Sequence, residues 1–238
     1  MAQLGIIQKD VAQTSRQSRF AVEIRHVRKA YGQNEENQVF ADLHFQLMHG
    51  TFVAAVGPIG CGKTTLLNMF AGIERPTSGT IVVEGEEITK LDADSLASFR
   101  SNMIGLVPQV QNLIPELTVR ENVVLPLHFS SKSGEEKAAR TEKVLDRVGI
   151  SGDSERIVST LSVGERQLVS VARALVSNPP ILLLDEPTEA LDPFMSEVVL
   201  GLLRGDNLTA GKTIFVTTHD RRVVDLAKRT LRVRKKIP

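Results

Sequence analysis

The stretch GPIGCGKTT, Gly57–Thr65, decides how the chain is read. It fits G-x-x-x-x-G-K-[ST], with Gly57, Gly62, Lys63 and Thr64 at the fixed places. The pattern carries weight only between a strand and a helix. That context is present. TFVAAVG before it is a continuous apolar run, as in a strand buried on both faces. KTTLLNMFAGI after it places Leu66, Leu67, Phe70 and Ile73 at helical spacing. In such a loop the backbone N–H groups of Gly57, Pro58, Ile59, Gly60, Cys61 and Gly62, proline excepted, curl toward phosphate oxygens, helped by the positive end of the helix. Lys63 would neutralise the β- and γ-phosphates, Thr64 would bind Mg²⁺, and Thr65 could reach the α-phosphate.

Outward from this loop the chain alternates strands and helices. AVEIRHVRKAY and FADLHFQLMHG alternate like half-buried strands. RPTSGTIVVEGEEI reads as turn, strand, turn, strand. A stretch from about 92 to 159, with SLASFR, TVRENVVLPLHF and EEKAARTEKVLDRVGI, is expected to be a mainly helical insertion. ILLLD, FMSEVVLGLLR, TIFVTTH, DRRVVDLAKR and TLRVRK then restore strand–helix alternation. The expected class is α/β, a P-loop NTPase core with a mostly parallel sheet, an antiparallel β subdomain and a helical subdomain. Residues 1–19 are polar and aperiodic and are expected to be a flexible arm before one domain over 20–238.

Bulk properties narrow the function. The 238 residues can bury a substantial core, and 42% hydrophobic with 24% charged content is ordinary for a globular chain. A net charge of +1 gives no basic field, so nucleic acid is not an expected partner. Cys61 is the single cysteine, which excludes an internal disulfide and suits a reducing compartment. No window approaches the roughly 20 apolar residues of a membrane helix. The N-terminus lacks the pattern of a signal peptide. Service to a membrane would therefore run through partners, from the cytosolic side.

Two further strand ends carry chemistry. ILLLDEP places Asp185 and Glu186 at the end of a buried strand, where ligands of open parallel sheets bind. Asp185 suits Mg²⁺ held through water, and Glu186 suits a general base that polarises the attacking water. TIFVTTHD ends at His219, a candidate γ-phosphate contact.

In order, these motifs resemble the nucleotide-binding subunit of ABC transporters from about Phe20 onward. The resemblance implies that Tyr31 of YGQ stacks on adenine and that Gln109 of IGLVPQ links Mg²⁺ and water to a membrane partner. It implies that LSVGERQ, Leu161–Gln167, is the family signature, offering Ser162 and Gly164 to an ATP held by another subunit. Asp192 of EALD then stands in the loop that crosses the dimer interface. Two such subunits, a homodimer in the simplest case, would pack head to tail, close on ATP and open on hydrolysis. That motion would drive membrane-spanning permease subunits from the cytoplasmic face of the inner membrane.

VQNLIPELTVRENVVLPL and ERPTSGTIVVEGEEITKLDADSLASFR look like the lipoprotein-release and macrolide-exporter subgroup. The alternative is a soluble ABC-type ATPase in a non-transport process, although the double nucleotide domain or coiled coil common there is absent. The signature and His219 argue against a small-molecule kinase, and intact Lys63, Asp185, Glu186 and His219 argue against a dead partner.

The signature departs from the usual Leu-Ser-Gly-Gly-Gln at Val163 and Glu165. Glu165 near a helix N-terminus is favoured by the helix dipole, but near a triphosphate it is disfavoured by Coulomb repulsion. Which effect governs depends on where its side chain points. The basic KRTLRVRKKIP could attract anionic lipid or be a final edge strand with solvated charges.

Overall fold

Residues 19–32, 35–205 and 211–234 are described by a computed structural model. The expected N-terminal arm, apart from Arg19, lies outside them, as do Lys235 and Lys236 of the basic C-terminus.

The frame is a five-stranded, all-parallel sheet of β3 (Phe52–Val56), β6 (Ile104–Val107), β7 (Ile181–Asp185), β8 (Thr213–Thr217) and β9 (Arg229–Arg232). Its order is β6-β7-β8-β3-β9. β3 pairs with β8 and β9, so both edges of TFVAAVG are used and both faces of Phe52–Ala55 are buried. β7 and β8 are buried at every residue. A second, antiparallel sheet has the order β2-β1-β4-β5, from β1 (Phe20–Tyr31), β2 (Asn37–Met48), β4 (Ser78–Val83) and β5 (Glu86–Glu87).

Two cores flank the parallel sheet. One joins the antiparallel sheet to helix α1 (Lys63–Phe70), where Phe45 of β2 stacks on Phe70 at 5.7 Å and Phe70 meets Phe215 of β8 edge-on at 4.8 Å. The other lies under α3 (Val119–Val124), α4 (Gly134–Val148), α5 (Val163–Leu175) and α6 (Pro193–Arg204). α4 shows why the local sequence folds as it does. Ser133 caps its first turn by accepting from Glu136 N–H, and Thr141, Val144, Leu145 and Val148 form its buried stripe. Gly149, at φ 75°, ends it in the left-handed conformation that glycine tolerates.

The stretch 92–159 differs from expectation in one respect. After α2 (Ala93–Met103) it contains β6, paired in parallel with β7. Four residues leave too little periodicity to announce a strand, and Gly105 further masks it. Tertiary packing needs that glycine: a Cβ there would stand 2.3 Å from the Ala174 carbonyl. Beyond β6 the segment is helical, and α7 (Arg221–Leu226) leads from β8 toward β9.

Candidate functional site

Parallel pairing aligns the carboxyl ends of β3, β6, β7 and β8 on one edge. The Gly57–Gly62 loop, Gln109, Asp185–Glu186 and His219 all follow those ends. They meet in a cleft of about 430 Å³. Tyr31, Ile59, Gly60, Gly62, Lys63, Thr64, Thr65, Gln109, Asp185, Glu186 and His219 line it, together with Val39 and Glu189.

The loop is built for close approach. A Cβ on Gly57 would stand 2.2 Å from the Val233 carbonyl, just past β9. Gly62, at φ 99°, is the N-cap of α1, and no side chain caps that helix. Its first N–H groups are left for an anion. Lys63 is buried, and its ammonium donates to the Gly57 carbonyl at 2.8 Å. It also lies 3.0 Å from Nε2 of His219.

The carboxylates divide into two environments. Asp185 is buried, and its Oδ1 accepts from the Thr217 hydroxyl. Glu186 turns out of β7 at φ 47°, a left-handed geometry rare for a side-chain-bearing residue and found at functional sites. Its backbone N–H is held by the Thr217 carbonyl at 3.0 Å. Its Oε2 accepts from the His219 backbone N–H at 3.0 Å. Oε1 is buried and has no hydrogen-bond partner among the described residues, with Nε2 of His219 3.4 Å away. Burial pushes the Glu186 carboxyl above its ordinary pKa, against the opposing pull of the His219 N–H, His219 and Lys63.

Other expected residues are placed as follows. The Tyr31 hydroxyl lies 3.1 Å from Thr65 Oγ1 and donates to Glu74 at 2.5 Å. Lys29 stands 4.4 Å above its ring. Gln109 Nε2 donates to Glu189 at 3.0 Å, leaving its amide oxygen as an acceptor. Pro58 offers its carbonyl to Cys61 N–H at 3.3 Å. Cys61 itself is 3% exposed, with its sulfur beside Gly57, so it sits beneath the loop rather than on its nucleotide side.

Gly57, Pro58, Cys61, Ser162 and Gly164 do not line the cleft. Ser162 instead begins α5 as its N-cap. Its hydroxyl accepts from Glu165 N–H at 3.2 Å, and the Glu165 carboxylate accepts from Ser162 N–H at 2.6 Å. This is a reciprocal capping box. The other Glu165 oxygen accepts from Arg156 at 3.0 Å. The Ser162 N–H, the Ser162 hydroxyl and Arg156 hold the Glu165 carboxyl below the usual carboxylate range. Val163 is 49% exposed. Gly164 is buried with Met195, whose sulfur would be 2.6 Å from a Cβ. Asp192 caps α6 through Met195 N–H at 2.7 Å.

Sequence reasoning missed Thr217 and Glu189. Thr217 left a signal, a polar residue two positions before His219 at the end of an apolar strand. Glu189 left none, because its contact to Gln109 spans 80 residues.

A model of the ABC transporter family matches residues 40–189. The chain belongs to the ABC transporter family. Its cassette binds and hydrolyses ATP, and the α/β P-loop architecture agrees with that of solved ABC cassettes. It is 36% identical to the ABC transporter ATP-binding protein YknY of Bacillus subtilis, over 90% of this chain and 93% of that protein. It is 37% identical to the macrolide export ATP-binding/permease protein MacB of Mannheimia succiniciproducens over 90% of this chain, but spans only 33% of that longer protein. A dimeric, post-hydrolysis structure of the ATP-binding cassette MJ0796 with ADP and inorganic phosphate superposes at TM-score 0.85, with 36% identity over 91% of this chain and 97% of that one.

Proposed function

We propose that this ABC cassette is the ATPase motor subunit of a membrane transporter or envelope machine, and that two copies close head to tail around two ATP molecules. The observation that carries the hydrolytic reading is the Glu186 Oε1 atom: a buried acceptor without a hydrogen-bond partner, on a carboxylate whose proton affinity is raised by burial, beside His219 and Lys63. An acceptor so placed suits a water aimed at a γ-phosphate. Lys63 is the phosphate neutraliser, and Gly57 to Thr65 form the cradle. His219 contacts the γ-phosphate, and Tyr31 faces adenine.

Mg²⁺ favours oxygen donors, and the Thr64 hydroxyl, Asp185 carboxylate and Gln109 amide oxygen supply such a set around one cleft. When bound, the ion would neutralise charge on the β- and γ-phosphates. Thr217 fixes one oxygen of Asp185 and thereby orients the other.

The head-to-tail assembly is supported by Ser162 and Gly164, which lie outside the cleft of their own subunit. It is also supported by the dimeric structures of the MJ0796 cassette. The MacB relative joins ATP-binding and permease parts in one chain, which supports a permease partner and the macrolide-exporter subgroup here. No helix among the described residues is long and apolar enough to cross a membrane. By analogy with the MacB relative, whose ATP-binding part is joined to a permease, we assign the cassette to the cytoplasmic face of the inner membrane, bound through its partner, which sets the substrate.

Three variants test the site. Lys63→Ala should lose ATP binding, while Glu186→Gln and His219→Ala should keep it and lose hydrolysis by about 10²-fold or more. Wild-type turnover by Glu186→Gln would remove the general-base assignment. Purification with a multi-span membrane protein supports the transporter role, and a soluble partner alone would favour a non-transport ATPase.

A further inference from the structure

On the solvent face of the antiparallel sheet, on the same strands that bring Tyr31 and Val39 to the ATP cleft but not among its lining residues, His26, Asp42 and His44 converge. Asp42 and His44 are two apart on β2 and so share a face. His26 joins them through an irregularity in the pairing. Ile24 pairs with Phe45 and Val27 with Leu43, so β1 spends one residue more than β2 across that interval. Such a bulge re-aims a side chain. His26 carries it at φ 50°, and its carbonyl is held from the other side by Gly79 of β4, where a Cβ would stand only 2.3 Å away. The bulge is thus fixed by packing from β4.

The outcome is three ligand atoms around one point. His26 Nδ1 and His44 Nε2 each lie 3.2 Å from Asp42 Oδ1. All three atoms fall within 4.8 Å of one another. Bonds of about 2.0–2.1 Å from a tetrahedral ion to nitrogen or oxygen require ligand atoms roughly 3.3 Å apart, which the two 3.2 Å separations already meet. The imidazoles touch edge to face, 4.1 Å between centroids at 83°, so both nitrogens can turn inward without a steric clash between the rings. A carboxylate oxygen placed between two imidazole nitrogens can accept from both only when both carry protons there, whereas a cation satisfies all three lone pairs at once. The neighbouring Arg25 is already neutralised, bidentate on Glu23 at 2.7 and 2.9 Å, and does not oppose a cation with a free charge.

We propose that His26, Asp42 and His44 bind a divalent transition metal of the zinc class. Two imidazoles and one carboxylate select such an ion over Mg²⁺ or Ca²⁺, which take oxygen ligands. The site is open: His26 and His44 line a shallow cleft with Glu23 and Arg25, and His26 and Asp42 are 77% and 61% exposed. The remaining coordination position faces solvent, and the ion pins the β1 bulge to β2 as a staple of the antiparallel sheet. Nothing in the nucleotide chemistry uses these residues.

The test is calorimetric titration of the tag-free, chelator-treated full chain with Zn²⁺ in excess Mg²⁺, alongside His26→Asn, Asp42→Asn and His44→Gln. Asn is used at position 26 because it tolerates the left-handed backbone. The wild type should show a zinc-binding event that each substitution weakens by about tenfold or more. A wild-type titration with no such event, or one unchanged by any of the three substitutions, overturns the site. A second readout needs no variant: zinc should shift the ring resonances of His26 and His44 together at the same metal concentration while His128 stays still. Independent movement of the two rings would also overturn it.

Discussion

Replacing Glu165 with alanine should destabilise the cassette without relieving any repulsion of nucleotide. The side chain has two tasks. It accepts from Ser162 N–H at 2.6 Å, closing the capping box of α5, and it accepts from Arg156 at 3.0 Å. Ser162 keeps its own bond to the backbone N–H of residue 165, so what is lost is the reciprocal bond from Ser162 N–H, about 0.5–1.5 kcal/mol. The Arg156 pair is exposed and screened by solvent, so it adds little. Alanine should therefore cost about 1 kcal/mol, read as a lower urea midpoint at an unchanged slope. Glutamine, the usual family residue at this place, keeps the acceptor and loses only the charge, so its cost should be about half of that.

The pH dependence has a definite sign. The folded-state carboxyl is held below its ordinary value, first by the Ser162 N–H. Its contribution is present above the unfolded pKa of about 4.3 and is lost as pH falls through the folded value. The stability gap between wild type and alanine should shrink over that range. Equal stabilities for all three proteins, or a gap indifferent to acid, would refute the cap. A tenfold tighter ATP complex in the isolated Glu165→Gln chain would show that the carboxylate faces nucleotide after all.

Gly57→Ala should weaken ATP binding and cost about 1–3 kcal/mol, since its methyl would press on the Val233 carbonyl; equilibrium binding and thermal melting check both. Asn122→Ala should cost about 2–3 kcal/mol in denaturant unfolding. Asn122 is fully buried and accepts from Ile114 N–H while donating to the Ile114 and Thr118 carbonyls, which fixes the loop between Gln109 and α3. Cys61 should react slowly with a bulky thiol reagent in the folded chain and quickly in urea, because it is buried under the loop; mass spectrometry over time reads the ratio.

Much of the fold was legible because the deciding elements are local. Phe52 to Phe70 carries a buried strand, a glycine loop and an apolar helix in immediate succession, and each imposes its own periodicity. Asp185, Glu186 and His219 were legible because apolar strands end in polar residues where a parallel sheet binds ligands. β6 was not, because four residues with a glycine have no period of their own and become a strand only by pairing with β7. Cys61 sits under the loop for a reason no spacing shows, the packing of Gly57 against Val233. Glu165 could be placed near a helix start from sequence, but which way it turned depended on Ser162 and on Arg156, nine residues back. The metal-ligand cluster hid in a register shift, which alternation alone cannot reveal.

In the proposed dimer, Ser162 completes the ATP site of a second subunit while Glu186 drives hydrolysis in its own. Sedimentation of Glu186→Gln with and without ATP, beside Glu186→Gln combined with Ser162→Arg, tests it most directly. The single variant should form an ATP-dependent dimer, and the double variant should stay a monomer that still binds ATP. An ATP-dependent dimer that survives Ser162→Arg, or a double variant that no longer binds ATP as a monomer, would contradict it.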